Sequence, residues 1–373
     1  MVSASRKVKV TSIINQILSY FYRLRQIFWA FKYKPDHSSI KTLHNFIYED
    51  KYPIGNAEMN KVLQALQREF LEKVGLKDLA AIVFGIIYYK KTGMTPIGSH
   101  SALVRAYLKT NGIAQELLHS LLFLEKPRSI SPSSTCSDNL KTLTNTEFHR
   151  CISELNLNGY SMLHGFINDS LLNQVLSDVA NIRFQERGSN NIIRVDPNNL
   201  PKCSVADAIS DDLSCCDSIN EITKSKLLLD IASGYLKSDV HLINQCLWYS
   251  FPFDGPTSES AQFYHFDLDT LRWLKVFVYL TDVTEENGPH EYVQSSHISG
   301  NKSPELLMKG YVRLTDKEID RHSNLKRIKA TGPKGTILLA DTRCFHKGNH
   351  PINQHRLILQ PIYAPSSLSY HQI

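Results

Sequence analysis

The sequence predicts an α+β protein: a C-terminal double-stranded β-helix (jelly roll) with flanking helices, preceded by a mostly helical N-terminal region. Three observations predict this. Between residues 56 and 125, apolar side chains recur every three or four positions. Pro127 to Asp138 (PRSISPSSTCSD) is rich in Ser and Pro and reads as a linker. From His241 onward, short β-like runs alternate with turns such as PFDGP and EENGP. The expected division is residues 1–126, helical with a basic amphipathic arm, then 127–145 as the linker region and 146–373 as the jelly-roll domain.

In chain order, Ile13, Ile14, Ile17, Leu18, Phe21, Leu24, Phe28 and Phe31 mark one face of a first helix. Two readings of it stand. It packs on the protein body, or it rests on an anionic membrane surface or serves as an organelle-targeting segment. Met59 to Val74 and Leu103 to Leu124 repeat at helical spacing, and the apolar run Leu79 to Tyr89 is too short to span a bilayer. After the linker, Thr146 to Asn156 reads as a helix, Gly159 to Ile167 as a strand and turn, and Asp169 to Ile182 as a helix capped by Asn168 or Asp169. The polar stretch Gly188 to Asp217 reads as a loop or lid, and Ile222 to Leu236 as a helix. The strand-like runs are His241–Phe251, Ala261–Phe266, Trp273–Leu280, His290–Val293, Thr336–Leu339 and Arg356–Tyr363.

Composition narrows the function classes. Hydrophobic residues make up 42% and charged residues 21%, as in folded domains rather than disordered chains. The net charge of +6 is concentrated: Arg6, Lys7, Lys9, Arg23, Arg25, Lys32 and Lys34 precede the first acidic residue, Asp36, and without them the chain is near −1. A body without a basic stripe argues against nucleic-acid binding. The 7 cysteines are odd in number and form no CxxC pair, which points to a reducing, cytoplasmic setting rather than a disulfide framework or a zinc site. Peripheral membrane contact through the basic N-terminal helix is a further expectation.

The candidate chemistry begins at His265-Phe266-Asp267. Side chains two apart on a strand share a face, so this imidazole and carboxylate can bind one metal. A third ligand comes from His346, with His350 as its competitor. Two histidines and a carboxylate on one side of Fe(II) leave three positions open. A 2-oxo acid fills two of these and O2 the third. Arg356, ten residues after His346 and among Leu357, Ile358 and Leu359, offers a guanidinium fork for the far carboxylate of that 2-oxo acid.

From about Phe148 to Ile362 the sequence resembles the phytanoyl-CoA dioxygenase family of Fe(II)/2-oxoglutarate oxygenases. NGYSMLHGFINDSLLNQVL resembles the family's first helix, strand and helix. QFYHFDLDTLRWLKVFVYLTDVTEENGPHEYVQSSH resembles its metal-binding and following strands, and GPKGTILLADTRCFHKGN with HRLILQPIY its distal histidine and arginine strands. The resemblance implies that His265, Asp267 and His346 take Fe(II) and that Arg356 takes the co-substrate 2-oxoglutarate. It favours His346 over His350 through the pattern D-x-R-x-x-H. It further implies a dioxygenase that hydroxylates an unactivated C–H bond of a small organic or lipid-like substrate and releases succinate and CO2. Two departures stand out. Ser295-Ser296-His297 replaces the family's frequent Gly-Ser-His. Ile358 stands two residues after the arginine, where many such enzymes carry a hydroxyl. The second hydrogen-bond partner of 2-oxoglutarate must then come from elsewhere, with Lys275, Gln262 and Trp248 as candidates and His297 as a structural residue.

Three other readings share these residues. A halogenase of this fold replaces the metal carboxylate by a small residue, and Asp267 argues against it. A non-catalytic binding module retains the fold without turnover. A related metalloenzyme uses no 2-oxo acid, and Arg356 discriminates against it.

Overall fold

The computed structural model describes residues 73–123, 139–196, 199–253 and 262–369. The basic arm, the first amphipathic helix and Pro127 to Asp138 lie outside the described residues. Among those described, no helix is long and apolar enough to cross a membrane.

Three helices come first: α1 (Leu76–Thr92), α2 (Ile97–Thr110) and α3 (Ile113–Phe123). The expected helix from Leu103 to Leu124 is broken at Asn111-Gly112, where both residues have positive φ and end α2. Ile82, Ile86, Ala102, Leu103, Ala106 and Leu118 form a shared core that also takes in Leu271 and Leu368 from the C-terminal part. The C-terminal tail is tied to the same helices: Ser369 N donates to Thr95 Oγ1 at 2.7 Å and Ser367 N to Tyr89 Oη at 2.9 Å. The proposed boundaries near residues 126 and 145 are thus bridged by a common core.

The second part opens with α4 (Asn145–Asn158), capped by Thr144 and Glu147 in a reciprocal capping box. It leads through Gly159, at φ 86, into β1 (Tyr160–Leu163). A Cβ at Gly159 would collide with Cys344 Sγ, so glycine is required there both for its φ and for space. Then come α5 (Asp169–Val179), with Asn168 as its N-cap, β2 (Phe184–Glu186), β3 (Ile192–Ile193), β4 (Val205–Ala208), α6 (Ser210–Ser214), α7 (Asp217–Thr223) and α8 (Lys226–Leu236). The loop or lid expected over Gly188 to Asp217 is corrected here: β3 and β4 lie within it, and β4 pairs with the next strand along Val205 to Asp207. These strands are too short for alternation to reveal them. The expected single helix Ile222 to Leu236 is two, because Ser225 caps α8.

The remaining elements are β5 (His241–Ser250), β6 (Leu274–Tyr279), β7 (His290–Val293), α9 (Pro304–Met308), α10 (Asp316–His322), β8 (Arg327–Ala330), β9 (Ile337–Ala340), β10 (His346–Gly348) and β11 (Arg356–Ala364). Eight strands form one antiparallel sheet in the order β1-β9-β6-β11-β5-β4-β2-β3, and three form a second, β10-β7-β8. This is the jelly-roll arrangement of two facing antiparallel sheets. The run Ala261–Phe266 is not a strand. Its described residues make only isolated bridges, Tyr264 with Leu314 and His265 with His346.

Alternation assigns every strand two jobs. Leu274, Val276, Val278, Ile337, Leu339, Leu357, Leu359, Leu247 and Tyr249 turn outward from the larger sheet to meet Phe148, Leu155, Val175, Ile231 and Tyr235 of the helices. Their neighbours Phe277, Tyr279, Leu338, Ala340 and Ile358, with Trp248 packed against them, face inward to meet Tyr292 and Ala330 of the smaller sheet. By the same parity Lys275, Arg356 and Ser250 face the space between the sheets. Polar side chains at these inward positions are costly unless something there binds them.

Candidate active site

The isolated bridge at His265 is what assembles the centre. His265 N donates to His346 O at 2.9 Å and His346 N returns the bond to His265 O at 2.7 Å, so two distant segments are locked side by side. Asp267 N donates to Thr342 O at 2.8 Å, which fixes the carboxylate in the same frame. His265 Nε2 lies 3.8 Å from Asp267 Oδ1, and His346 Nε2 lies 3.6 Å from Asp267 Oδ2. Among the described residues these three form a group able to hold a metal ion, with ligand atoms all within 4.8 Å of one another.

Each imidazole is oriented from behind. His265 Nδ1 donates to Phe263 O at 2.9 Å and His346 Nδ1 to Cys344 O at 3.0 Å. A carbonyl only accepts, so the proton sits on Nδ1 and the Nε2 lone pair turns toward Asp267, as a metal ligand requires. Burial favours the neutral ring in both, and it brings His265 down to about 3. Burial alone would raise the Asp267 carboxyl, but the Lys275 ammonium outweighs it and holds the group ionised. Lys275 Nζ sits 2.7 Å from Asp267 Oδ2 and 2.9 Å from Asp269 Oδ2. Lys275 thus lies beside the metal-ligand group, with two carboxylates already on its ammonium.

The loop between β9 and β10 carries the D-x-R-x-x-H residues and is braced by buried charge. Arg343 Nη2 and Nε engage Asp341 at 2.6 and 3.0 Å, and Tyr235 Oη donates to Asp341 Oδ2 at 2.5 Å. Trp273 Nε1 donates to Thr342 Oγ1 at 2.9 Å. Glu116 of α3 binds both Arg343 and Arg272, so a helix of the N-terminal region reaches the loop that presents His346. Burial would raise the Glu116 carboxyl, yet the Arg343 and Arg272 guanidinia hold it at about 2. A carboxyl depressed below its ordinary 4.5 stabilises the fold above that pH and loses the contribution as pH falls toward 2. Glu116 is 35% exposed, so solvent screening limits the effect. Urea melts of Glu116→Gln should show a loss of roughly 1 kcal/mol at pH 7 that shrinks below pH 4.5. A loss of the same size at every pH would show that shape, not charge, is what Glu116 supplies.

Ser295, at the departure from Gly-Ser-His, takes φ 64, a conformation that costs an L-residue energy. Its backbone N donates to Asn158 O at 2.8 Å and its Oγ to Leu157 O at 2.6 Å, which hold the turn without glycine. His297 contacts Cys344 Sγ at 3.5 Å and Asn156 O at 3.2 Å, so it serves structure.

A cavity of about 310 Å³ opens beside the metal-ligand group, with Arg356, Ser250, His290, Phe277 and Trp248 in its wall. Arg356 is 4% exposed. Its Nη2 donates to Ser250 Oγ at 3.2 Å, the residue directly across the β11–β5 ladder. Its Nε and Nη1 are buried without a partner. Burial lowers it to about 10, which still leaves it charged at neutral pH. A buried guanidinium with two unpartnered nitrogens fits a carboxylate brought from outside. His350 also lines the cavity, but its Nδ1 meets Gln262 Nε2 at 3.3 Å and it stands apart from the metal-ligand group. The sequence reading missed Ser250, His290 and Asp269. Asp269 was findable, being two residues beyond Asp267 and in phase with it. The other two were in strands correctly read, but which face met the cavity depended on how the sheets pack.

The family model described as phytanoyl-CoA dioxygenase (PhyH) matches residues 155–355. Among solved structures, the chain is similar to the non-heme alpha ketoglutarate dependent epimerase SnoN from nogalamycin biosynthesis, at 15% identity and TM-score 0.42, over 59% of this chain and 83% of that chain. It is similar to EctD from S. alaskensis with bound Fe, at 19% identity and TM-score 0.43, over 64% and 82%. It is also similar to HygX from Streptomyces hygroscopicus, solved with nickel, 2-oxoglutarate and hygromycin B, at 16% identity and TM-score 0.39, over 60% and 88%. The comparison with curated proteins finds no match.

Proposed function

The chain belongs to the phytanoyl-CoA dioxygenase family, and from that membership and the site geometry we propose that it is an Fe(II)- and 2-oxoglutarate-dependent oxygenase that hydroxylates an unactivated C–H bond of a small organic substrate. The observation that carries this reading is the pairing, on one cavity, of the metal-ligand group with a buried arginine that lacks a carboxylate. His265, Asp267 and His346 hold Fe(II), and Arg356 holds the distal carboxylate of 2-oxoglutarate. The bound iron supplies activation of O2, coupled to conversion of 2-oxoglutarate to succinate and CO2. The protein's own part is positional. Phe263 O and Cys344 O fix the imidazole tautomers, and Lys275 keeps Asp267 ionised. Phe277 and Trp248 give the cavity apolar walls.

The cavity size bears on the substrate. About 310 Å³ lies at the low end of the range for small-molecule sites, roughly 300–1,000 Å³, and it must take 2-oxoglutarate as well. The wall also carries Arg187, Asp207, Gln262 and Gln360. Both features support a compact, polar substrate over an acyl chain. Succinate formation screened over a substrate panel, with Fe(II) and 2-oxoglutarate each left out in turn, tests the reading. Turnover that persists without 2-oxoglutarate would remove it.

The two candidate third ligands give a sharper check. His350→Ala is expected to retain Fe(II) with its affinity changed less than threefold, since Gln262 is its partner. His346→Ala is expected to lose Fe(II) binding. Calorimetry with Fe(II) under anaerobic conditions reads both, and the opposite pattern would displace His346 from the metal.

A further inference from the structure

We propose that His290 is the second residue that grips 2-oxoglutarate, hydrogen-bonding the distal carboxylate beside Arg356. This rests on the co-substrate reading above and adds a residue to it. Ile358, on the inward face of β11, has no polar atom to offer. Lys275 is engaged by Asp267 and Asp269, and Gln262 by His350. The role is therefore open to another donor on the same cavity.

His290 has the required placement. It begins β7, on the smaller sheet opposite Arg356, and pairs with Gly348 and Ala330. Alternation turns it inward together with Tyr292, while Glu291 between them turns outward to accept from Tyr264 Oη at 2.7 Å. The ring is 6% exposed and lies 4.4 Å from the Phe277 ring, which limits its rotation. Its Nδ1 is buried and has no hydrogen-bond partner. Arg356 Nε and Nη1 share that condition on the same cavity wall. A buried polar atom left without a hydrogen bond destabilises the site until something pairs it. Buried polar atoms without a partner, these three and His350 Nε2 on the lining of one small cavity, describe a site that a multi-acceptor anion completes. A neutral imidazole carries one N–H, and a carboxylate that already meets Arg356 can accept it.

The test uses the full chain loaded with Mn(II), which binds without turnover, and two ligands. One is 2-oxoglutarate. The other is 2-oxobutyrate, with the same keto-acid head and no distal carboxylate. Calorimetry is expected to show His290→Phe, which keeps the ring contact with Phe277, binding 2-oxoglutarate about tenfold more weakly. Its affinity for 2-oxobutyrate should stay within twofold of wild type, and so should its affinity for Mn(II). His290→Asn, which restores an N–H donor near the Nδ1 position, should recover part of the loss. Equal weakening toward both ligands would overturn the proposal, because His290 would then shape the site generally. So would unchanged 2-oxoglutarate binding in His290→Phe with a large loss in Lys275→Met, which would move the role to Lys275. If wild-type protein with Mn(II) binds no 2-oxoglutarate at all, the co-substrate reading itself fails. Binding by wild type that is lost in Arg356→Ala but kept in His290→Phe removes only this inference.

Discussion

Asp267→Ala is expected to give a folded protein that binds no measurable Fe(II) and forms no succinate. The fold should survive because the frame of the site is made by backbone. His265 and His346 exchange two main-chain hydrogen bonds, and Asp267 contributes its N–H to Thr342 O whatever its side chain. The metal should not survive, for two reasons of the same sign. The substitution removes one of three ligands and the only anionic one in the group. It also frees one side of Lys275, whose ammonium lies 2.7 Å from Asp267 Oδ2 and would face the incoming cation with only Asp269 to balance it. Removing an outer partner of a metal ligand typically costs 10–100-fold in affinity, and removing the charged ligand itself must cost more. Circular dichroism for the fold and anaerobic calorimetry with Fe(II) decide the matter. Wild-type metal affinity in Asp267→Ala would sink the assignment of the centre.

How much of this was readable in the sequence follows from the period of each signal. The strands β5, β6 and β11 were legible because they run six to ten residues, are rich in apolar and aromatic side chains and are bounded by turn residues. Strands β3 and β10 span two and three residues, and no period can be read over so short a run. The group able to hold a metal was legible because His265 and Asp267 are two apart and, by the family resemblance, the D-x-R-x-x-H pattern points to His346. The strand invoked for the first pair is absent, and a backbone bridge to His346 does its work. What the sequence concealed is everything that depends on strand register and on sheet facing sheet. Ser250 is opposite Arg356 only through the antiparallel register of β5 on β11, and His290 meets the cavity only because the smaller sheet closes over it. Glu116 is more distant still. Nothing at residue 116 announces that it will brace Arg343.

Arg356→Met is expected to separate binding from stability, with opposite signs. In the protein without co-substrate, Arg356 is a buried cation whose one hydrogen bond goes to Ser250 Oγ and whose Nε and Nη1 have none. Such a charge costs desolvation energy, as its drop to about 10 records. Methionine fills most of the same volume with no charge, on the inward face it shares with Ile358 and beside Trp248 and Phe277 in the cavity wall. The melting temperature of the co-substrate-free variant should therefore equal or exceed that of wild type. Affinity for 2-oxoglutarate should fall steeply, because the carboxylate that completed the guanidinium would now be buried unpaired. Breaking a buried pair costs roughly 3–5 kcal/mol, which is a few hundred- to a few thousand-fold in Kd. Metal affinity should not move, since no atom of Arg356 belongs to the metal-ligand group. Calorimetry with 2-oxoglutarate and thermal melts with and without it supply the three numbers. A variant that melts several degrees lower without ligand would make Arg356 a structural strut acting through Ser250. A Kd for 2-oxoglutarate within threefold of wild type would take the co-substrate away from this residue.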